Sequence, residues 1–151
     1  MLLRTFSKVY GLAGLRVGFA LCGSESFVQA VNAVRQPFFL NAAAQAAAIE
    51  ALRHQDAVAD RVERAVVARV TVQDGLERLG LRVAESQANF CWLHLPEDAV
   101  EADVIAGLRE RGVLVRAGAA LGREGAMRVT YGTPRDNERF VAALGEVLQR
   151  R

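Results

Sequence analysis

The sequence predicts an α/β protein in three parts: the edge of a large sheet, a long helical stretch and a small two-layer α/β unit. Three observations carry that expectation. Short runs of β-branched and aromatic residues alternate with longer runs of helix formers. From Asn41 to Gly80 the chain holds almost nothing but helix formers. Residues 1–40 supply only two strands and one helix, too few to cover both faces of a sheet. The domain boundaries expected from this pattern are 1–40, 41–73 and 74–151.

Taken in order, residues 2–8 read as a short strand with a polar tip, and Gly11, Gly14 and Gly18 punctuate the loop behind it. RVGFALC (16–22) reads as a buried strand. Ser24 opens a helix to about Arg35, and Pro37 stops it. Asn41 suits an N-cap and Gly80 the position just past a helix end. HQDA (54–57) is where that long run would break in two. LRVAESQANFCWLHL (81–95) alternates as one or two strands, and AVEADVIAGLRERG (99–112) is an amphipathic helix ended by Gly112. VLVRAG (113–118) and AMRVTYG (126–132) are strands. Thr133 and Pro134 then start the last helix, as N-cap and first helical residue.

Composition narrows the classes. The chain is 52% hydrophobic and 24% charged, an ordinary globular balance. A net charge of +2, with arginines interspersed among acids, gives no footing for nucleic acid. No stretch is apolar enough to span a membrane or to act as a signal peptide. Cys22 and Cys91 lie in apolar runs without CxxC spacing, which suits buried thiols in the cytoplasm. His54 and His94 have no spacing that suggests a metal site.

Of 19 basic residues, Lys8 is the only lysine, so eighteen are arginine. Lysine and arginine exchange freely on a solvated surface. They do not where a primary amine must lose its proton, because a guanidinium stays charged. A leftover surface lysine satisfies the count equally well. The neighbourhood says more. Thr5 and Ser7 precede Lys8, and Arg16 follows across a Gly-rich turn, a plausible phosphate cradle. An amine beside a bound phosphate ester points to pyridoxal phosphate, whose aldehyde condenses with lysine. The spacing in GLAGLRVG is neither GxGxxG nor GxxxxGK[ST], which argues against a nucleotide loop.

TFSKVYGLAGLRVGFA resembles the lysine segment of fold-type I, pyridoxal-phosphate-dependent aminotransferases of class I/II. Within them it is similar to the histidinol-phosphate aminotransferase branch and its aromatic (phenylalanine-type) relatives. PFFLNAAAQAAAIEAL, ESQANFCWL and MRVTYGTPRDNERFV extend the resemblance over essentially the whole chain. Val9 departs from the small residue common after the lysine. The resemblance implies that Lys8 is the Schiff-base lysine and proton carrier. It implies that Arg16 clamps the cofactor phosphate, with Ser7 and Thr5 as hydroxyl partners. Arg128 would bind the substrate carboxylate, and Arg116 a second, phosphorylated or acidic group. Asn89 and Phe90 would shape the small domain, and Tyr10 would pack near the site.

The resemblance also implies that 1–40 is the C-terminal portion of a large cofactor domain, 41–73 an interdomain helix and 74–151 the small domain. The complete enzyme would be a cytoplasmic homodimer exchanging an amino group between glutamate and an imidazole or aromatic partner. Other activities on the same scaffold, phosphothreonine decarboxylase or β-lyase, stay open, as does a truncated, inactive domain. The residues that would hold the pyridine nitrogen and stack on the ring lie upstream in such enzymes, and none can be placed in this chain.

Overall fold

A computed structural model describes residues 1–149. Residues 150 and 151, the end of the domain expected over 74–151, lie outside the described residues. The chain forms two compact units, Met1–Val62 and a second beginning at Glu63. The division falls inside the helical stretch that the sequence pattern assigned to 41–73.

The first unit opens with β1 (Leu2–Thr5) and β2 (Gly18–Leu21), an antiparallel pair in which Leu2 faces Leu21 and Thr5 faces Gly18. A side chain at Gly18 would come within 2.6 Å of the Arg4 carbonyl oxygen, so the close pairing requires glycine there. α1 (Glu25–Val34) is capped by Ser24, whose hydroxyl accepts from the Phe27 amide. α2 (Ala42–Ala51) is capped by Asn41, whose Oδ1 accepts from the Ala44 amide at 2.8 Å. The helical run breaks at residues 52–54, and α3 (Gln55–Arg78) continues it. Phe6, Val17, Ala44 and Ala48 are the buried core of this unit, with Tyr10, Leu12, Leu15, Leu40 and Ala51 around them. β2 was expected to be buried, yet all four of its residues are exposed. No layer among the described residues covers either face of this two-stranded sheet.

The second unit is a four-stranded antiparallel sheet in the order β3 (Arg82–Val83), β4 (Phe90–His94), β6 (Ala126–Thr130), β5 (Arg116–Ala117). The end of α3, α4 (Glu101–Glu110) and α5 (Pro134–Gln149) share one face of it. β4 alternates, with Cys91 and Leu93 buried in that core and Phe90, Trp92 and His94 half-buried on the other side. α3 and α4 end alike. Gly80 and Gly112 take left-handed backbone, and Leu81 and Val113 donate back to the Leu76 and Leu108 carbonyls. α5 starts with a reciprocal cap, in which Thr133 Oγ1 donates to Asp136 Oδ2 at 2.6 Å and accepts from the Asp136 amide.

Candidate functional site

The first group of residues is built on the loop between β1 and β2. The strand expected to run to residue 8 ends at Thr5. Phe6 turns inward, its amide donating to the Val17 carbonyl at 3.2 Å and its carbonyl accepting from Leu12 at 2.9 Å. Those two bonds close the loop and leave Lys8 exposed at its tip, where the Lys8 carbonyl accepts from the Gly11 amide at 2.9 Å. Tyr10 packs on Phe6 with ring centres 4.8 Å apart. From α3, Arg61 Nη1 donates to the Val9 carbonyl at 2.7 Å, across 52 residues of sequence. The base of the loop is therefore fixed, while the lysine itself is exposed.

Thr5 and Ser7 meet directly. Thr5 Oγ1 accepts from the Ser7 amide at 3.0 Å and donates to Ser7 Oγ at 2.7 Å. The Thr5 hydroxyl is thus engaged on both counts, and the Ser7 hydroxyl is left as the outward donor. Arg16 departs from the expected strand: it closes a short 3-10 turn (Ala13–Leu15) with φ of 53°, in the left-handed region. A non-glycine residue held there costs about 1–2 kcal/mol. The guanidinium returns one N–H to the Ala13 carbonyl at 2.8 Å and keeps its remaining donors for another acceptor. A free hydroxyl, an exposed amine and a guanidinium with spare donors on one loop match the needs of a phosphate ester that also carries an aldehyde.

The second group lies on the outer face of the four-stranded sheet. Arg116 and Arg128 are direct cross-strand partners, and Trp92 sits opposite Arg128 on its other side. The Arg128 guanidinium lies 5.0 Å over the Phe90 ring. Its Nε is buried and has no hydrogen-bond partner. Like charges directly opposite in a sheet repel, and a buried donor left unsatisfied costs about 1–3 kcal/mol. An anion bound at Arg128 would give the unpartnered Nε an acceptor. Tyr131 Oη is likewise buried without a partner, and burial pushes its phenol up to about 12. Burial also pushes the Cys91 thiol up to about 11, so it is an inert core group.

The six residues singled out from the sequence thus fall into two sets: Thr5, Ser7, Lys8 and Arg16 on one loop, and Arg116 with Arg128 on one sheet face. Two further residues contribute, of which Arg61 alone was not singled out from the sequence. Phe90, read as a shaping residue, supplies the ring beneath Arg128; the even spacing of Phe90 and Trp92 on the strand facing AMRVTYG was the available signal. Arg61 had no local signal at all.

Residues 1–144 match the family described as aminotransferase class I and II. Histidinol-phosphate aminotransferase of Moorella thermoacetica is 40% identical over 98% of this chain and 38% of its own length. Histidinol-phosphate aminotransferase 2 of Pseudomonas aeruginosa is 43% identical over 96% of this chain and 38% of its own length. Among solved structures, the histidinol-phosphate aminotransferase of Sinorhizobium meliloti, in complex with pyridoxal-5'-phosphate, superposes with a TM-score of 0.85. Its identity is 29%, over 98% of this chain and 40% of that one. L-threonine-O-3-phosphate decarboxylase of Porphyromonas gingivalis gives a TM-score of 0.79 at 26% identity, over 97% of this chain and 46% of that one. The chain therefore spans about two fifths of the length of the curated relatives it matches.

Proposed function

This chain belongs to the aminotransferase class I and II family, and from that premise we propose that it forms the C-terminal part of a pyridoxal-phosphate-dependent aminotransferase. The reaction proposed exchanges an amino group between glutamate and the histidinol phosphate/imidazole-acetol phosphate couple, or an aromatic amino acid in its place. The observation that carries this reading is the opposed Arg116–Arg128 pair with its unpartnered, buried Nε. Glutamate brings two carboxylates and histidinol phosphate a dianionic phosphate, so both substrates satisfy a paired-arginine site. Relatives named for that reaction, 38–43% identical, support the choice of phosphate ester.

Pyridoxal phosphate, when bound, supplies an aldehyde that condenses with amines and a ring that draws electrons from the amino-acid Cα. The work of this chain's residues is binding, orientation and proton handling. Ser7, aligned by Thr5, would donate its hydroxyl to the cofactor phosphate, and Arg16 would pair with the same group. Lys8 would hold the cofactor through Nζ and would take up and return a proton at that nitrogen. Arginine cannot make that exchange. Arg128 orients the substrate carboxylate or phosphate, and Arg116 reads the second negative charge. As part of this proposal, the complete enzyme is a cytoplasmic homodimer, its two free thiols suiting a reducing compartment.

The likeness to phosphothreonine decarboxylase favours a second reading, since that substrate also carries a carboxylate and a phosphate. In the complete polypeptide loaded with pyridoxal phosphate, borohydride should fix the cofactor to one peptide, the one holding Lys8. Lys8→Arg should abolish both tag and turnover. Turnover by that variant overturns the assignment, and release of carbon dioxide from phosphothreonine supports the second reading.

A further inference from the structure

Glu101, the first residue of α4, is only 6% exposed and makes no ion pair among those the structure shows. A buried carboxylate needs charge-assisted hydrogen bonds, and three backbone amides supply them. Glu101 Oε1 accepts from Ala119 at 3.0 Å, and Oε2 accepts from Gly125 at 2.7 Å and Ala126 at 3.3 Å. These amides stand at the two ends of the connection between β5 and β6. Ala119 lies three residues after Arg116, and Ala126 two residues before Arg128. The carboxylate therefore straps together the two chain segments that carry the paired arginines.

The strap adds to a short ladder. Only Arg116 and Ala117 pair with β6, and one further backbone bond runs from the Gly118 amide to the Ala126 carbonyl at 2.9 Å. A slip of one residue would turn Arg116 to the opposite face of the sheet. Gly118 tightens the same spot: an added Cβ would lie 2.2 Å from the Arg123 carbonyl oxygen and 2.6 Å from that of Ala126. Glycine permits the close crossing, and Glu101 holds it shut. The outer face then bears Arg116 and Arg128 as direct cross-strand partners.

We propose that Glu101 is a positioning residue for the anion site: by clamping Ala119, Gly125 and Ala126 it fixes β5 on β6 and keeps Arg116 beside Arg128. The proposal rests on the reading of that pair as an anion site. It assigns to Glu101 the discrimination between ligands that need both arginines and ligands that need one.

Trp92 is the only tryptophan in the chain and sits opposite Arg128, so its emission reports the site. The test titrates the full 151-residue chain, at submicromolar concentration and constant ionic strength, with inorganic phosphate and separately with acetate. Phosphate spans both guanidiniums, and acetate occupies Arg128 alone. Glu101→Gln, whose amide turns an N–H toward backbone donors, should weaken phosphate at least tenfold and acetate less than threefold. Glu101→Asp keeps the charge with one methylene less reach and should fall between. If Glu101→Gln does not fold, Glu101→Asp must still show the larger loss for phosphate. Equal losses for the two probes, or none, overturn the positioning role. Phosphate binding that survives Arg128→Ala, or no phosphate binding by the unmodified chain, overturns the anion reading and the positioning role with it.

Discussion

The two units bury their apolar residues to very different extents. In the second, thirteen buried residues from three helices, the sheet and their connections form one continuous core. In the first, the buried core is Phe6, Val17, Ala44 and Ala48. Leu2, Leu3, Phe19 and Leu21 on its strands are exposed, as are Phe27, Val28 and Val31 on α1. α1 contains no buried residue at all, and Phe38 is fully exposed. A two-stranded ribbon is marginal in water by itself, and apolar faces of this extent mark surfaces that take a partner. The lysine loop therefore sits on a scaffold with little stability of its own, whereas the paired arginines sit on one that closes its own core.

The chain carries a reporter in each unit: half-buried Cys22 in the first and buried Cys91 in the second. The largest expected effect is in their reactivity. A disulfide reagent at about pH 8 should modify Cys22 at least a hundredfold faster than Cys91, since a protected core opens at a cost of several kcal/mol and each 1.4 kcal/mol is tenfold. Equal rates would dissolve the contrast between the units. Single core truncations should sharpen it. Leu93→Ala, at a fully buried site of the second unit, should cost about 2–5 kcal/mol. It should speed Cys91 labelling by about thirtyfold or more and leave Cys22 unchanged. Phe6→Ala should do the reverse, and a variant that moved both reporters together would show one cooperative structure.

The smallest effect is electrostatic and belongs to the second unit. The Thr133 hydroxyl and then its backbone amide hold the Asp136 carboxyl below its usual 3.8. A depressed carboxyl adds stability above its unfolded value and loses it as pH falls through the folded one. Asp136→Asn should therefore lower the thermal midpoint of the second unit slightly at neutral pH, and progressively less as pH falls through the depressed folded-state value. A difference that persisted in acid would mean that shape, not charge, makes this cap.

Much of the local structure was legible in the sequence, because its causes lie within one turn of the chain. Ser24, Asn41 and the Thr133–Pro134 pair cap the helices expected of them, and Gly80 and Gly112 end theirs in left-handed backbone. The lone lysine beside Thr5, Ser7 and Arg16 was a candidate from residue type and spacing, whereas Arg116 and Arg128 were candidates through the family resemblance. Only the tertiary structure decided what those residues face. Arg116 opposite Arg128, Phe90 beneath it and the Glu101 clamp all depend on strand register, a property of pairing between distant segments. Arg61 reaches Val9 across 52 residues, and Arg16 leaves the extended conformation to close a turn whose ends Phe6 and Val17 bring together. RVGFALC has the composition of a buried strand, but burial depends on what packs against it: Val17 is buried, whereas the four residues of β2, 18–21, are exposed. Short-range propensity writes caps and turns into the sequence, whereas the opposed arginine pair exists only once the sheet has chosen its register.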